Sequence, residues 1–265
     1  MFPPLEPVVL CMGGHDPGGG AGVGADIEAV SAQGLHAVTL VTCLTVQDSH
    51  NVRRILPQPP RHLREQANCL LADCRVGAIK LGLMGCTATA RTVAAILDEF
   101  PEIPLVVDPI LAAGGGTDLT DEGLIETFRE QLIPRAWVST PNGPEARRLT
   151  LDGSATALLA LGGRAVLLTG GHEGGSQVVN RLYYQEKTLV REWAWPRLPG
   201  EYHGSGCTLA AALAARLALG DSLEIAAERA QAYTWQTLQT ARRTGYGQLT
   251  PRRTRIYLPP PGGGG

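Results

Sequence analysis

Residues 203–208 read His-Gly-Ser-Gly-Cys-Thr, the stretch of this chain best suited to chemistry. It opens an Ala/Leu-rich run from Leu209 to Leu219, in which Leu209, Leu213 and Leu217 recur every fourth position before Gly220. That spacing predicts a helix with one buried stripe and a glycine stop. A glycine loop feeding a helix start leaves backbone N–H groups unpartnered, and with the positive end of the helix dipole they bind anions. The same field favours a thiolate at Cys207. Such a cradle suits group transfer to or from an oxyanion. A glycine turn before a buried helix, with Cys207 as a small core residue, fits the same six residues.

Other polar residues stand at the ends of apolar runs: His15-Asp16, Gln47-Asp48, Asp108, Asn142, Glu145 and His172. Asp108 closes the buried run Leu105-Val106-Val107, where a carboxylate needs a partner such as a metal or a phosphate-bound cation. The Gln47 amide could pair with a heterocycle edge or be solvated at a strand end. Asn142 and Glu145 are three apart after Pro141; they could share a magnesium–water shell, but spacing alone favours a helix cap with an acidic first turn. Gly20-Ala21-Gly22-Val23-Gly24-Ala25 matches a dinucleotide fingerprint weakly, because His15-Asp16-Pro17 lengthens a turn that should be tight. Glycines there can bring backbone against a flat ligand. Asp26 would then either complement the next helix's dipole or bind that ligand. His15, His172 and His203 lack ligand spacing and read as loop hydrogen-bonders.

Alternating elements position these residues. Strands are expected at Pro7–Met12, Ala37–Val46, Val52–Leu56, Ala78–Met84, Leu105–Asp108, Ala136–Thr140 and Ala165–Leu168, with a hairpin over 178–184 and 188–193. Helices are expected at 25–33, 63–73, 89–100 and 121–132, from Pro141-Asn142, through Leu209–Leu219, and from a capping box at Asp221-x-x-Glu224 to about Arg243. Such alternation predicts an α/β fold with a mostly parallel central sheet and helices on both faces, with ligands beyond the strands' carboxyl ends. One domain over 1–258 is expected, with a mobile Pro/Gly tail at 259–265.

The 265 residues are 44% hydrophobic and 18% charged, enough for a sizeable core. A net charge of −2 argues against a nucleic-acid or anionic-membrane partner. Six cysteines without a CxxC pair support neither a metal site nor a disulfide framework, and a reducing, cytoplasmic compartment fits best. Val8-Val9-Leu10-Cys11 has no basic residue before it, so it reads as a buried strand and not a lipoprotein signal.

In combination the motifs resemble the bacterial hydroxymethylpyrimidine/phosphomethylpyrimidine kinases of thiamine synthesis. The likeness runs from Val8 to about Thr240, through Gly13-Gly14-His15-Asp16-Pro17-Gly18-Gly19-Gly20-Ala21-Gly22 with Ala25-Asp26, Leu44-Thr45-Val46-Gln47-Asp48, Lys80-Leu81-Gly82-Leu83-Met84, Val107-Asp108-Pro109, Thr140-Pro141-Asn142-Gly143-Pro144-Glu145, Thr169-Gly170-Gly171-His172 and residues 203–208. The resemblance implies a ribokinase-like three-layer α/β/α sandwich, often dimeric. ATP would be co-substrate with Mg2+, and a monovalent cation is admitted. A small pyrimidine alcohol would be phosphorylated, then its monophosphate. By the same resemblance Gly14, Asp26 and Gln47 would hold the pyrimidine, with Leu83 or Met84 against its ring. Asp108 and Glu145 would face the metal. Asn142, Thr169 and Gly171 would lie at the nucleotide. Gly204, Ser205 and Gly206 would cradle the phosphoryl group, with Cys207 beside the acceptor as a base.

Two departures stand out. Thr169 occupies a position where lysine is common, and Arg181 is a candidate replacement. Residues 112–116 read Ala-Ala-Gly-Gly-Gly where hydroxyl residues are frequent. Three other readings compete: a pyridoxal/pyridoxine-type kinase on the same fold, a non-catalytic pyrimidine sensor, and a cysteine-nucleophile hydrolase with His203 as base.

Overall fold

The computed structural model describes residues 3–112, 119–185 and 187–254. The expected tail, and most of the Ala/Gly stretch after Asp108, lie outside these residues. Among the described residues, nine strands form one sheet in the order β3-β2-β1-β4-β5-β6-β7-β8-β9. They are β1 Val8–His15, β2 His36–Gln47, β3 Val52–Pro57, β4 Val76–Leu81, β5 Leu105–Val107, β6 Val138–Ser139, β7 Ala165–Leu168, β8 Gln177–Tyr184 and β9 Lys187–Pro196. From β2 through β7 neighbours in the sheet run parallel, while β3, β8 and β9 pair antiparallel at its two ends.

The strands bury both faces, and their period-2 alternation sorts residues into two cores. Leu10, Met12, Ile79, Leu81 and Val107 face one helical layer. That layer holds α2 (Pro60–Asp73), α3 (Thr87–Leu97), α4 (Glu122–Thr127), α5 (Gly143–Leu149) and α6 (Ala155–Leu159). Val9, Cys11, Ala78 and Val106 face the other, formed by α1 (Gly22–Ala32), α7 (Ser205–Ala218) and α8 (Leu223–Gln239). This is the expected α/β/α sandwich.

Several boundaries differ from the sequence expectation. β1 runs on to His15, and α1 begins at Gly22, not Ala25. The loop between them is therefore short, and Gly22 packs so closely that a Cβ would lie 2.1 Å from the Gly14 carbonyl oxygen. The α7 helix has no single buried stripe: every residue from Cys207 to Ala215 is buried. Alanines on all sides let it lie between the sheet, α1 and α8. The 121–132 helix is regular only to Thr127, then widens into a π turn before a 3-10 turn containing Pro134, which cannot continue the ladder. Asp221 is not the cap of α8. Ser222 is, its Oγ accepting from Ile225 N, while Asp221 pairs with Arg216 and Arg229. The short α6 carries no periodic signal in the sequence.

Candidate active site

The order around β1 makes a switch point: the chain leaves β1 for β2 on one side and returns to β4 on the other. In open parallel sheets a crevice forms there, beyond the carboxyl ends. Asp26 of α1, Lys80 of β4, Asp108 after β5 and Cys207 of α7 meet at this crevice. Lys80 Nζ lies 2.9 Å from Asp26 Oδ1 and 3.0 Å from Oδ2, both side chains without exposed surface. Burial opposes the charge on Lys80, but Asp26, Cys207 and Asp108 outweigh it and raise its pKa, so the ammonium persists. Burial pushes the Asp26 carboxyl up, and the Lys80 charge and hydrogen bond pull it back. Asp26 is thus the partner of a buried lysine in the second turn of α1, where it neither serves the dipole nor meets solvent.

Asp108 is 4% exposed. Its Oδ1 accepts from Thr140 Oγ1 at 3.5 Å, and its Oδ2 has no hydrogen-bond partner among the described residues. Burial raises its pKa to about 6, against the pull of Lys80. Thr140 and the Cys207 thiol oppose that rise more weakly. That thiol is itself pushed up to about 12, first by burial and then, against Lys80, by Asp108 and Asp26. The expected thiolate is therefore overturned: two carboxylates and desolvation outweigh the helix terminus. A hydrolase nucleophile loses its resting thiolate with it, and His203 bonds Asp16 at 2.9 Å.

The glycine loop around Gly204 feeds the start of α7, as the sequence predicts. Gly204 caps α7 with φ +79, a left-handed conformation suited to glycine, and a Cβ there would lie 2.0 Å from Gly20 O. No side chain caps the helix, which leaves the Ser205 and Gly206 amides available. Gly206 faces Asp108, whose two oxygens would lie 3.8 Å from a Cβ there. The opposite wall is the glycine loop. Asp16 accepts from Gly18 N at 2.8 Å and Ala21 N at 2.9 Å. Burial pushes its carboxyl up, but these bonds and His203 hold it below the ordinary range.

Leu83 packs against Gly14 at the end of β1: a Cβ on Gly14 would lie 3.0 Å from its Cδ2. Met84 is instead fully buried in the core on the α2–α3 face. Gln47 is half-buried at the end of β2, three residues beyond Leu44, which pairs with the last residue of β1. It therefore stands on the β2–β3 arm, away from the Lys80 cluster.

At the other end, Asn142 and Glu145 form a capping box: Asn142 Oδ1 accepts from Glu145 N, and Asn142 N donates to Glu145 Oε2, each at 2.9 Å. The Glu145 carboxyl is raised to about 8, first by burial and then by Asp108. Thr169 bridges to Asn142 after β7. Gly170 N donates to Asn180 Oδ1, and Asn180 Nδ2 donates to Gln231 Oε1 of α8. Gly171 is exposed. Arg181 does not replace the lysine, because its guanidinium pairs with Glu192 at 2.7 Å on β9. Arg197 instead donates to the carbonyls of Gly171, Glu173, Gly175 and Gln177 and shapes that loop.

Sequence reasoning assigned no role to Lys80, Arg197 or Arg253. Lys80 left a signal, a lysine within the apolar strand Val76–Leu81; the arginines left none.

An uncapped helix start facing a buried carboxylate, at the switch point of an α/β/α sandwich, defines a small-molecule kinase of the ribokinase-like class. The family model for phosphomethylpyrimidine kinase matches residues 16–252. Over 87% of the chain and 88% of the relative, it is 36% identical to the hydroxymethylpyrimidine/phosphomethylpyrimidine kinase of Streptomyces coelicolor. It is also 36% identical, over 90% of its length, to the thiamine biosynthesis bifunctional protein ThiED of Geobacter sulfurreducens, of which it spans half. The solved structure of Bacillus subtilis pyridoxal kinase in an ADP complex superposes with a TM-score of 0.83 at 26% identity, covering 94% of this chain and 97% of that one. The chain belongs to the phosphomethylpyrimidine kinase family.

Proposed function

We propose that this chain transfers the γ-phosphoryl group of ATP to the hydroxymethyl group of 4-amino-5-hydroxymethyl-2-methylpyrimidine, then phosphorylates the resulting monophosphate, as a step of thiamine biosynthesis. The observation that carries the reading is the uncapped start of α7 against the Asp108–Cys207 pair, with Lys80 behind it. Phosphoryl transfer needs positioning and charge stabilisation more than covalent chemistry. The Gly204–Gly206 amides receive the transferred group.

Asp108 and Glu145 fit a divalent metal. Both are hard oxygen donors, Asp108 opposes the ionisation of Glu145, and Asp108 Oδ2 is unpartnered among the described residues. Mg2+ would be held there, through water, and would neutralise charge on the ATP phosphates. Cys207, neutral at physiological pH, presents no fixed negative charge to an acceptor that is already anionic in the second step. The acceptor proton passes to Asp108, the carboxylate that faces Gly206 at the start of α7. Gly14 and Leu83 flank the ring, Gln47 reads its edge from the arm, and the Asp26–Lys80 pair underlies it. Asn142, Thr169 and Gly171 line the nucleotide side.

Purified protein, ATP with magnesium, and each candidate alcohol should yield the mono- and diphosphorylated pyrimidine by mass. Turnover of pyridoxal alone would overturn the proposal. Binding of the pyrimidine without turnover would favour a sensor, the reading that Thr169 suggests.

A further inference from the structure

We propose that Arg253 is a positioning residue for this transfer: its guanidinium locks the glycine loop after β1 to the first turn of α7 and so aims the amides that receive the phosphoryl group. The inference rests on the α7 start being the transfer site. Arg253 is 3% exposed despite its charge, and lies one residue past the family match. Its nitrogens address the walls of the cradle. Nε donates to Thr208 Oγ1 at 2.7 Å, one terminal nitrogen to Gly19 O at 3.3 Å and to Glu28 Oε2 at 3.2 Å, and the other to Gly20 O. Tyr233 of α8 holds the residue from behind, its hydroxyl donating to Arg253 O at 2.9 Å.

Two contacts have a directional consequence. A trans peptide is planar, so fixing a carbonyl fixes the following N–H in the opposite direction. Thr208 Oγ1 accepts from Arg253 and donates to Gly204 O at 2.7 Å. Gly204 C=O shares its peptide plane with Ser205 N–H, the first amide of the cradle. Gly20 C=O, held by Arg253, shares its plane with Ala21 N–H, which donates to Asp16. One guanidinium therefore sets the direction of both walls. A lysine has no such planar fork, so charge alone cannot reproduce the arrangement.

The test compares Arg253→Lys, Thr208→Val and the double variant in the full chain, by steady-state kinetics with hydroxymethylpyrimidine and by hydrogen exchange of the Ala21 and Thr208 amides without substrate. Arg253→Lys should lower kcat about 10–10²-fold. It should leave KM for ATP within about twofold, because uniform binding is untouched. The two amides should exchange about tenfold faster while the middle of α8 is unchanged. The double variant should be no worse than the poorer single one, since both break one relay. Additive losses, a parallel rise in KM for ATP, or unchanged exchange would overturn the assignment. If the wild-type chain turns over no pyrimidine alcohol, the proposed function fails, and amide exchange still decides whether Arg253 fixes the cradle.

Discussion

The two ends of the site are built differently. At the proposed acceptor end, charges are buried and balanced within the fold: Lys80 sits among Asp26, Asp108 and Cys207, which come from three other parts of the chain. At the proposed nucleotide end, position is set by backbone and caps: the Asn142–Glu145 box, the Gly170–Asn180 anchor and the Arg197 strap. A buried ion pair must be complete for the chain to fold around it. A capped loop folds without its ligand and leaves charge compensation to what binds. The acceptor end is therefore the rigid half, and the nucleotide end the half that ligand charge completes.

Breaking the rigid half should have the largest effect. Lys80→Met leaves Asp26 buried without its partner, and removing one member of a buried pair costs about 3–5 kcal/mol. Thermal unfolding should show a drop of that size; a near-wild-type Tm would mean the pair is not structural. Next comes Asp108→Asn, which keeps shape and removes charge. It should cut kcat about 10²–10³-fold with Tm held or raised, because it removes a carboxylate that burial disfavours. A lost fold with it would make Asp108 structural.

The pH dependence sharpens the same contrast. Asp108 and Glu145, raised to about 6 and about 8, favour the folded state when protonated. Their contribution is full below the ordinary carboxylate range and is lost as pH rises through those values. The Tm of the unliganded wild type should therefore fall more steeply between about pH 5 and 8 than that of Asp108→Asn, and ATP with magnesium should flatten the wild-type slope. Parallel slopes would contradict the facing carboxylates. The smallest effect is expected of Thr169→Lys, which restores a cation on the nucleotide side and should lower KM for ATP about fivefold; no change would place Thr169 away from the phosphates.

How much could be read in advance followed the same division. Apolar runs ending in Asp108 or Gln47 marked the strands and their carboxyl ends, and Asn142 three residues before Glu145 marked a cap, since these are local patterns. The pairing of Lys80 with Asp26, across 54 residues, was not legible, nor was the reach of Arg253 to Gly20 across 233. The Cys207 thiol was misjudged for that reason. Its local helix start argues for a thiolate, and the carboxylates that reverse this arrive from other strands and helices.

Cys207→Ala tests the account most directly, because a resting base and a neutral packed thiol predict different things of the two phosphorylations. Single-turnover rates for the alcohol and for its monophosphate should fall by similar factors, about tenfold each, as expected when a buried neighbour of Asp108 is lost and the site loosens slightly. A loss of about 10²–10⁴-fold confined to the alcohol step would show Cys207 acting as the base, and would contradict a thiol held neutral by its buried neighbours.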